Sequence, residues 1–232
     1  MSSATTGTSA GTARRTRPPV TREHVVAAAL ALVDREGLDE LSLRKLGAEL
    51  DVETMSLYKR VANKDDLLAG VAELVWNEVA ANAPPAEDWP TWLRSFGHAI
   101  RAAVHNHPHA VPLLGTIEVL PVPLLEVIAG QLERASDGWP PKEDAVSAAC
   151  AVSAFALGTA MTEVCLQCAS VVDRGDPAAT ERQQLRRIVR ALPEDAPDRV
   201  IETALAVCGC DADAMFEGGL DLIVRGCTAG RG

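Results

Sequence analysis

The stretch LSLRKLGAELDVETMSLYKRVANKDDLL, Leu41 to Leu68, constrains the fold more than any other part of the chain. Leu43, Leu46 and Leu50 recur at spacings of three and four, which lines one face of a helix. The pattern breaks at Asp51-Val52-Glu53 and then resumes. Two helices joined by a tight turn are therefore expected, Leu43 to Leu50 and a shorter one from about Thr54 to Arg60. Ser42 is a good N-cap for the first, and Gly47 inside it permits a neighbouring helix to come close.

The flanking sequence completes a small bundle. Thr21 caps a helix carrying Val25, Val26, Ala29, Leu32 and Val33 on one face until Gly37 ends it. Asn63 caps another from Lys64 through Val79, with Leu67, Leu68, Val71, Leu74 and Val75 on its buried side. The proline-bearing connector Asn82 to Asp88 suggests a boundary, dividing the chain into a basic arm (1–20), a small domain (21–83) and a larger one (84–232). Asp88 then caps a helix with Leu93, Phe96, Ile100 and Val104 at helical spacing. Further helices are expected at Pro123 to Ala135, Lys142 to about Val171, Thr180 to Leu192, Pro197 to Val207 and Ala212 to Arg225. No repeat and no alternating strand is visible. With 47% hydrophobic but only 3% aromatic residues, mostly Ala, Leu and Val, the composition suits packed helices, and the fold class is all-α.

The net charge of -10 argues against indiscriminate binding to nucleic acid, but it is unevenly spread. Residues 1–66 carry ten Lys+Arg against ten Asp+Glu; residues 67–232 carry twelve against twenty-two. Arg44, Lys59, Arg60 and Lys64 thus surround the short interruption in an otherwise acidic protein. In a helix-turn-helix the first helix crosses the DNA backbone while the second enters the major groove. Here the second helix offers Thr54, Met55 and Ser56 for base edges and thymine methyls, and Tyr58, Lys59 and Arg60 for phosphate oxygens. Ser42, Arg44 and Lys64 lie at or near helix N-termini, where backbone N–H groups favour a phosphate. The plainer reading is a three-helix bundle with a solvated basic face. Arg14, Arg15 and Arg17 read first as part of a disordered arm, and secondarily as a minor-groove contact.

In these residues, from about Thr21 to Val79, the chain resembles the TetR family of bacterial transcriptional repressors. The resemblance implies that Arg44, Thr54, Met55, Ser56, Tyr58, Lys59, Arg60 and Lys64 touch an operator in double-stranded DNA, with Ser42 and Lys64 on phosphates. WLRSFGHAIRAAVHNHPHAVPLLGT, Trp92 to Thr116, and FALGT, Phe155 to Thr159, resemble the ligand-binding domain of the tetracycline-repressor branch. Where that branch uses polar and metal-chelating side chains this chain has Ala80, Phe96, Ile100 and Leu113, although Thr116 is retained. An apolar effector is therefore expected rather than a magnesium-chelated tetracycline, on a set comprising Phe96, Ile100, Leu113, Thr116, Ile128 and Phe155. Without the resemblance the apolar members read as plain core. The family also implies a homodimer reading a palindrome, its recognition helices about 34 to 36 Å apart. Its interface is expected on Lys142 to Val171 and Ala212 to Arg225.

Six cysteines occur in a chain whose residues 1–20 lack an apolar signal region, so free thiols in a cytoplasm are the default. Cys165 and Cys168 form a CxxC within a helical context, where simple buried thiols are the preferred reading; zinc would need two more ligands, such as Cys208 and Cys210. A thiol- or metal-sensing regulator using these and the cluster His105, His107, His109 is the alternative. No cofactor, metal or catalytic residue is expected, since the sequence has no Walker A loop, GxSxG, HExxH or dinucleotide fingerprint. The uncharged run Ala145 to Thr162 is nearly long enough to span a bilayer but reads as a buried central helix, with no membrane partner.

Overall fold

A computed structural model describes residues 20–116, 118–134, 141–169, 186, 188–193, 195–208 and 211–228. Among these every regular element is a helix. Helix α1, Arg22–Glu36, begins where the Thr21 hydroxyl accepts the N–H of His24. It ends at Gly37, whose φ of 93° glycine adopts without the Cβ penalty. A 3₁₀ turn, Leu38–Glu40, then folds Leu41 inward. Helix α2, Leu43–Leu50, is capped by Ser42, which accepts the N–H of Lys45; α3 is the single turn Thr54–Leu57. Asn63 caps α4, Lys64–Asn82, by accepting the N–H of Asp66.

Two ends of α4 do different work. Near its start Gly70 lies against α1: a Cβ there would stand 2.9 Å from Cγ2 of Val26, so only glycine permits this crossing. Further along, the buried Trp76 donates its indole N–H to the carbonyl of Leu114 at 3.3 Å. Leu114 closes α6, Val111–Leu114, which a second 3₁₀ turn, Pro108–Ala110, joins to α5, Trp89–Asn106.

Helix α5 is the axis of the larger half. Asp88 caps it through the N–H of Thr91 at 2.7 Å, and Trp92 and Phe96 stack along it with ring centroids 4.9 Å apart. Gly97 admits two neighbours at once: a Cβ there would lie 3.1 Å from Leu220 and 3.2 Å from Val152. Those residues belong to α10, Ala212–Thr228, and α8, Lys142–Ala169. Helix α7, Val122–Arg134, is tied to the connector by the buried Gln131, whose Oε1 accepts the N–H of Ala86 at 2.9 Å. Trp92 ties the same connector by donating to the carbonyl of Ala83 at 3.3 Å. Helix α9 is Asp198–Cys208.

The expected helix starting at Thr54 stops at Leu57, and the chain continues as a tight turn in which the Leu57 carbonyl accepts from both Arg60 at 2.8 Å and Val61 at 3.0 Å. The helix expected to end at Val79 runs on to Asn82, and the 3₁₀ turns and α6 were not anticipated. The uncharged run sits in α8 with one face buried, including Ala145, Ala148, Ala149, Val152, Ala156 and Ala160, and the other exposed. The sequence suggested a buried central helix, and burial within the chain is confined to this one face. The segment 143–164 is also long and apolar enough to cross a membrane, with a mean hydropathy of 1.6. Arg14, Arg15 and Arg17, and most of the helix expected from Thr180 to Leu192, lie outside the described residues.

Trp92 is fully buried, stacks on Phe96 and holds the connector through its N–H. Trp92→Ala is expected to lower the unfolding free energy by about 3 to 5 kcal/mol in urea titrations followed by circular dichroism. A loss under about 1 kcal/mol would show that α5 does not anchor the fold in this way.

Candidate nucleic-acid interface

The turn between α2 and α3 is fixed by backbone geometry. Asp51 adopts the left-handed conformation, φ 53° and ψ 48°, which Asp tolerates better than most residues. Its N–H donates to the carbonyl of Ala48 at 3.3 Å, and the N–H of Val52 donates to that of Gly47 at 2.9 Å. This paired pattern satisfies the last carbonyls of α2 and reverses the chain. Gly47 is required at the crossing, since a Cβ there would lie 3.0 Å from the carbonyl oxygen of Val52 and 3.5 Å from Oγ1 of Thr54.

The buried side chains Leu57 and Val61 pin the next segment, so its remaining residues face outward. Met55 is 69% exposed and Tyr58 49%, too much for ordinary core-forming side chains of this size. Ser56, Lys59 and Arg60 are exposed beside them, and Thr54 is half-buried. Asp66 secures the segment from below: one carboxylate oxygen accepts the N–H of Ala62 at 2.8 Å, the other a guanidinium N–H of Arg22 at 2.8 Å.

Charge in this bundle is sorted. Arg22 pairs with Asp66, Arg35 with Glu49 at 3.0 Å, and Lys45 with Glu36 at 2.7 Å and Glu40 at 2.6 Å. The Lys45 ammonium is held charged, its pKa raised by hydrogen bonds to Glu36 and then Glu40. Arg44, Lys59, Arg60 and Lys64 are exposed and, among the described residues, take part in no ion pair. The cations left over are those around the turn. Ser42 uses its oxygen as the cap of α2, which leaves its O–H and the first N–H groups of that helix available to an anion.

The residues proposed for an effector are distributed differently. Phe96, Ile100 and Leu113 are buried, Ile128 and Phe155 half-buried, and Thr116 is exposed with its O–H donating to the Leu113 carbonyl at 2.8 Å. The Phe155 ring stacks on Phe216 of α10 at 5.6 Å and covers Gly219, whereas Phe96 stacks on Trp92. The two aromatic candidates thus serve separate contacts. An open pocket of about 280 Å³ is lined instead by His98, Arg101, Ala102, His105 and Asp213. Two of its lining residues belong to an ion cluster in which the buried Glu163 accepts from Arg101 Nε at 2.9 Å and lies 2.6 Å from His105 Nε2. Sequence reasoning missed this cluster, although His98, Arg101 and His105 recur at helical spacing on α5.

The three clustered histidines diverge: His105 meets Glu163, His107 meets Asp34 and Glu78, and His109 meets the carbonyls of Val33 and Asp34. Among the described residues no three His, Cys, Asp or Glu side chains converge as metal ligands. Cys150 and Cys227 are free, and burial, then the charge of Asp144, pushes the Cys227 thiol pKa up, away from reactivity. The side chains of Cys165, Cys168 and Cys208, and all of Cys210, lie outside the described residues.

Comparison with known proteins agrees over nearly the whole chain. The family described as tetracyclin repressor-like, C-terminal domain, matches residues 81–230. An HTH-type transcriptional regulator of Saccharopolyspora erythraea is 32% identical over 94% of this chain and 89% of its own length. The class A tetracycline repressor of transposon 1721 from Escherichia coli is 31% identical over 79% of this chain and 86% of its own. Among solved structures, ActR of Streptomyces coelicolor in complex with actinorhodin superposes with a TM-score of 0.72 at 26% identity, covering 93% of this chain and 99% of that one.

Gly47→Val tests whether the turn needs its glycine. The added side chain forces the α2–α3 crossing apart, with an expected loss of about 2 kcal/mol or more in thermal or urea unfolding. Unchanged stability would mean that the crossing has slack.

Proposed function

The chain belongs to the TetR family of transcriptional regulators, and on that premise we propose that it is a ligand-responsive repressor whose 21–83 domain binds an operator. The observation that carries this reading is the charge sorting: every other Lys and Arg from 22 to 82 is paired internally, while Arg44, Lys59, Arg60 and Lys64 frame the exposed Met55 and Tyr58. In this reading Thr54, Met55 and Ser56 meet base edges, while Tyr58, Lys59, Arg60, Arg44, Ser42 and Lys64 hold phosphates. The acid excess in the rest of the chain discourages loose binding, so affinity depends on the local fit.

The 84–232 domain binds a small, largely apolar effector and pairs two copies of the chain. ActR, crystallised with actinorhodin and with (S)-DNPA, supports the presence of such a site. Pairing is supported by α8, whose exposed side between Val146 and Thr162 carries no charged residue, and by Met215 and Leu222 on α10, 51% and 70% exposed. A second copy covers this face, so a cytoplasmic dimer accounts for the apolar helix without a membrane. The effector acts by linkage, shifting the dimer toward a spacing that cannot span successive major grooves, by no more than its differential affinity for the two states.

Selection from random duplex DNA at two salt concentrations is expected to enrich a palindrome. On that palindrome Lys59→Ala should abolish specific binding, and Lys64→Ala should weaken it across sequences while reducing the salt slope by about one. A pool with no enrichment, from protein shown to be folded, would end the repressor reading. For the dimer, Ala154→Glu places a charge on the uncharged face of α8 and is expected to give monomers in light scattering at micromolar concentration. A dimer retained by this variant moves the interface elsewhere.

A further inference from the structure

His107 stands where the α5 end meets α1 and α4, and both of its ring nitrogens face carboxylates. Nδ1 lies 2.8 Å from Oδ2 of Asp34 on α1, and Nε2 lies 2.7 Å from Oε2 of Glu78 on α4. The ring is 15% exposed and each carboxylate side chain 29%, so water competes poorly for these bonds. An ionised carboxylate only accepts hydrogen bonds, and a neutral imidazole donates only one. Both contacts are therefore satisfied together only when the ring is doubly protonated.

Neighbouring groups reinforce the arrangement. The other oxygen of Glu78 accepts from Asn106 Nδ2 at 2.8 Å, which fixes the carboxylate for His107. His109 Nδ1 stands 3.1 Å from the carbonyls of Val33 and Asp34, at the end of α1 where a positive partner is favoured. From α1 the group facing His107 is Asp34, from α4 it is Glu78, and on its own segment His109 is the titratable neighbour, while His105 turns away to Glu163.

We propose that protonated His107 is a brace, sensitive to pH, that locks the C-terminal end of α1 and the C-terminal part of α4 to the segment 106–110. When the proton leaves, one carboxylate faces a lone pair and that link opens. Burial pushes the imidazole pKa down, but hydrogen bonds to Glu78 and Asp34, together with their charges, outweigh it and the net shift is upward. The brace is accordingly complete below the unfolded histidine value of about 6.5 and is lost as pH rises through the higher folded value. Because α1 and α4 belong to the DNA-reading part under the function proposed above, the brace would set how stiffly that part follows the rest of the chain. Only this last consequence rests on that reading.

The test uses the full chain without DNA, so it can fail independently of the repressor reading. Nitrogen NMR of the histidine rings is expected to find both nitrogens of His107 protonated at pH 6, and to find the second proton lost at a higher pH than from a free imidazole. Hydrogen-exchange protection at Leu32 to Glu36, corrected for chemical exchange rates, should fall as pH rises through the same titration. The fall should be about tenfold for each unit by which the folded pKa exceeds the unfolded one. His107→Gln should abolish the dependence; should it fail to fold, Glu78→Gln and Asp34→Asn each lower the ring's titration point and flatten the profile. A neutral His107 ring at pH 6, or a Glu78→Gln profile identical to that of the unchanged protein, overturns the brace.

Discussion

Everything in this molecule depends on α4 being one uninterrupted helix. Its 19 residues span about 28 Å, long enough to pack Gly70 on α1 at one end and lodge Trp76, Val79 and Ala80 among α5, α6 and α7 at the other. A helix transmits displacement because each turn is bonded to the next, and no proline or exposed glycine interrupts this one. A movement of α6 against Trp76 must therefore be absorbed by α4 as a whole. The connector after α4 is held as firmly, by Gln131 on one side and Trp92 on the other, so strain has no easy outlet there.

Electrostatics then decides which surfaces remain available. In the N-terminal bundle, acids are spent on the cations of α1 and the inner side of α2, which holds these helices together and leaves the outer cations unneutralised. In the larger half, Arg94 and Arg225 converge on Asp221, and Arg101 is shared between Glu163 and Asp213 at 2.5 Å while stacking over Phe216 at 4.7 Å. Those pairs bind α5 to α8 and α10. Exposed members such as Asp213 contribute little each, and the buried Glu163 matters mainly because removing a partner would leave it unsatisfied.

What could be read from the sequence was local. The caps Thr21, Ser42, Asn63 and Asp88 act through residues three positions away, so their geometry is written in adjacent letters, and each performs as the spacing implied. The bounds of α2 and the start of α4 followed directly. Short elements were not legible: α6 and the two 3₁₀ turns are too brief to display a period, although Pro108 and Pro112 occupy first-turn positions that suit proline. The end of α3 escaped because the helical pattern continues through Arg60 while Leu57 and Val61 take the core positions. The partners of His107 lie 73 and 29 residues away, and those of Arg101 lie 62 and 112 away, beyond any periodicity argument.

The uncharged helix α8 illustrates why composition alone misleads. Mean hydropathy adds the two faces of a helix, so a core helix, a membrane span and an interface helix all yield a high value. The faces must be separated to tell them apart. One side of α8 packs small residues against α5, where Gly97 lets Val152 approach and large side chains would not fit. The opposite side is built mostly from Ser147, Cys150, Ala151, Ala154, Gly158 and Thr162, with Val146 and Met161 as its exposed larger side chains. A lipid-facing surface gains from long aliphatic side chains, which are scarce on this one. Small residues in that position instead let another helix come near, so the same compositional bias that packs α8 inside its own chain suits its outer face to a second copy.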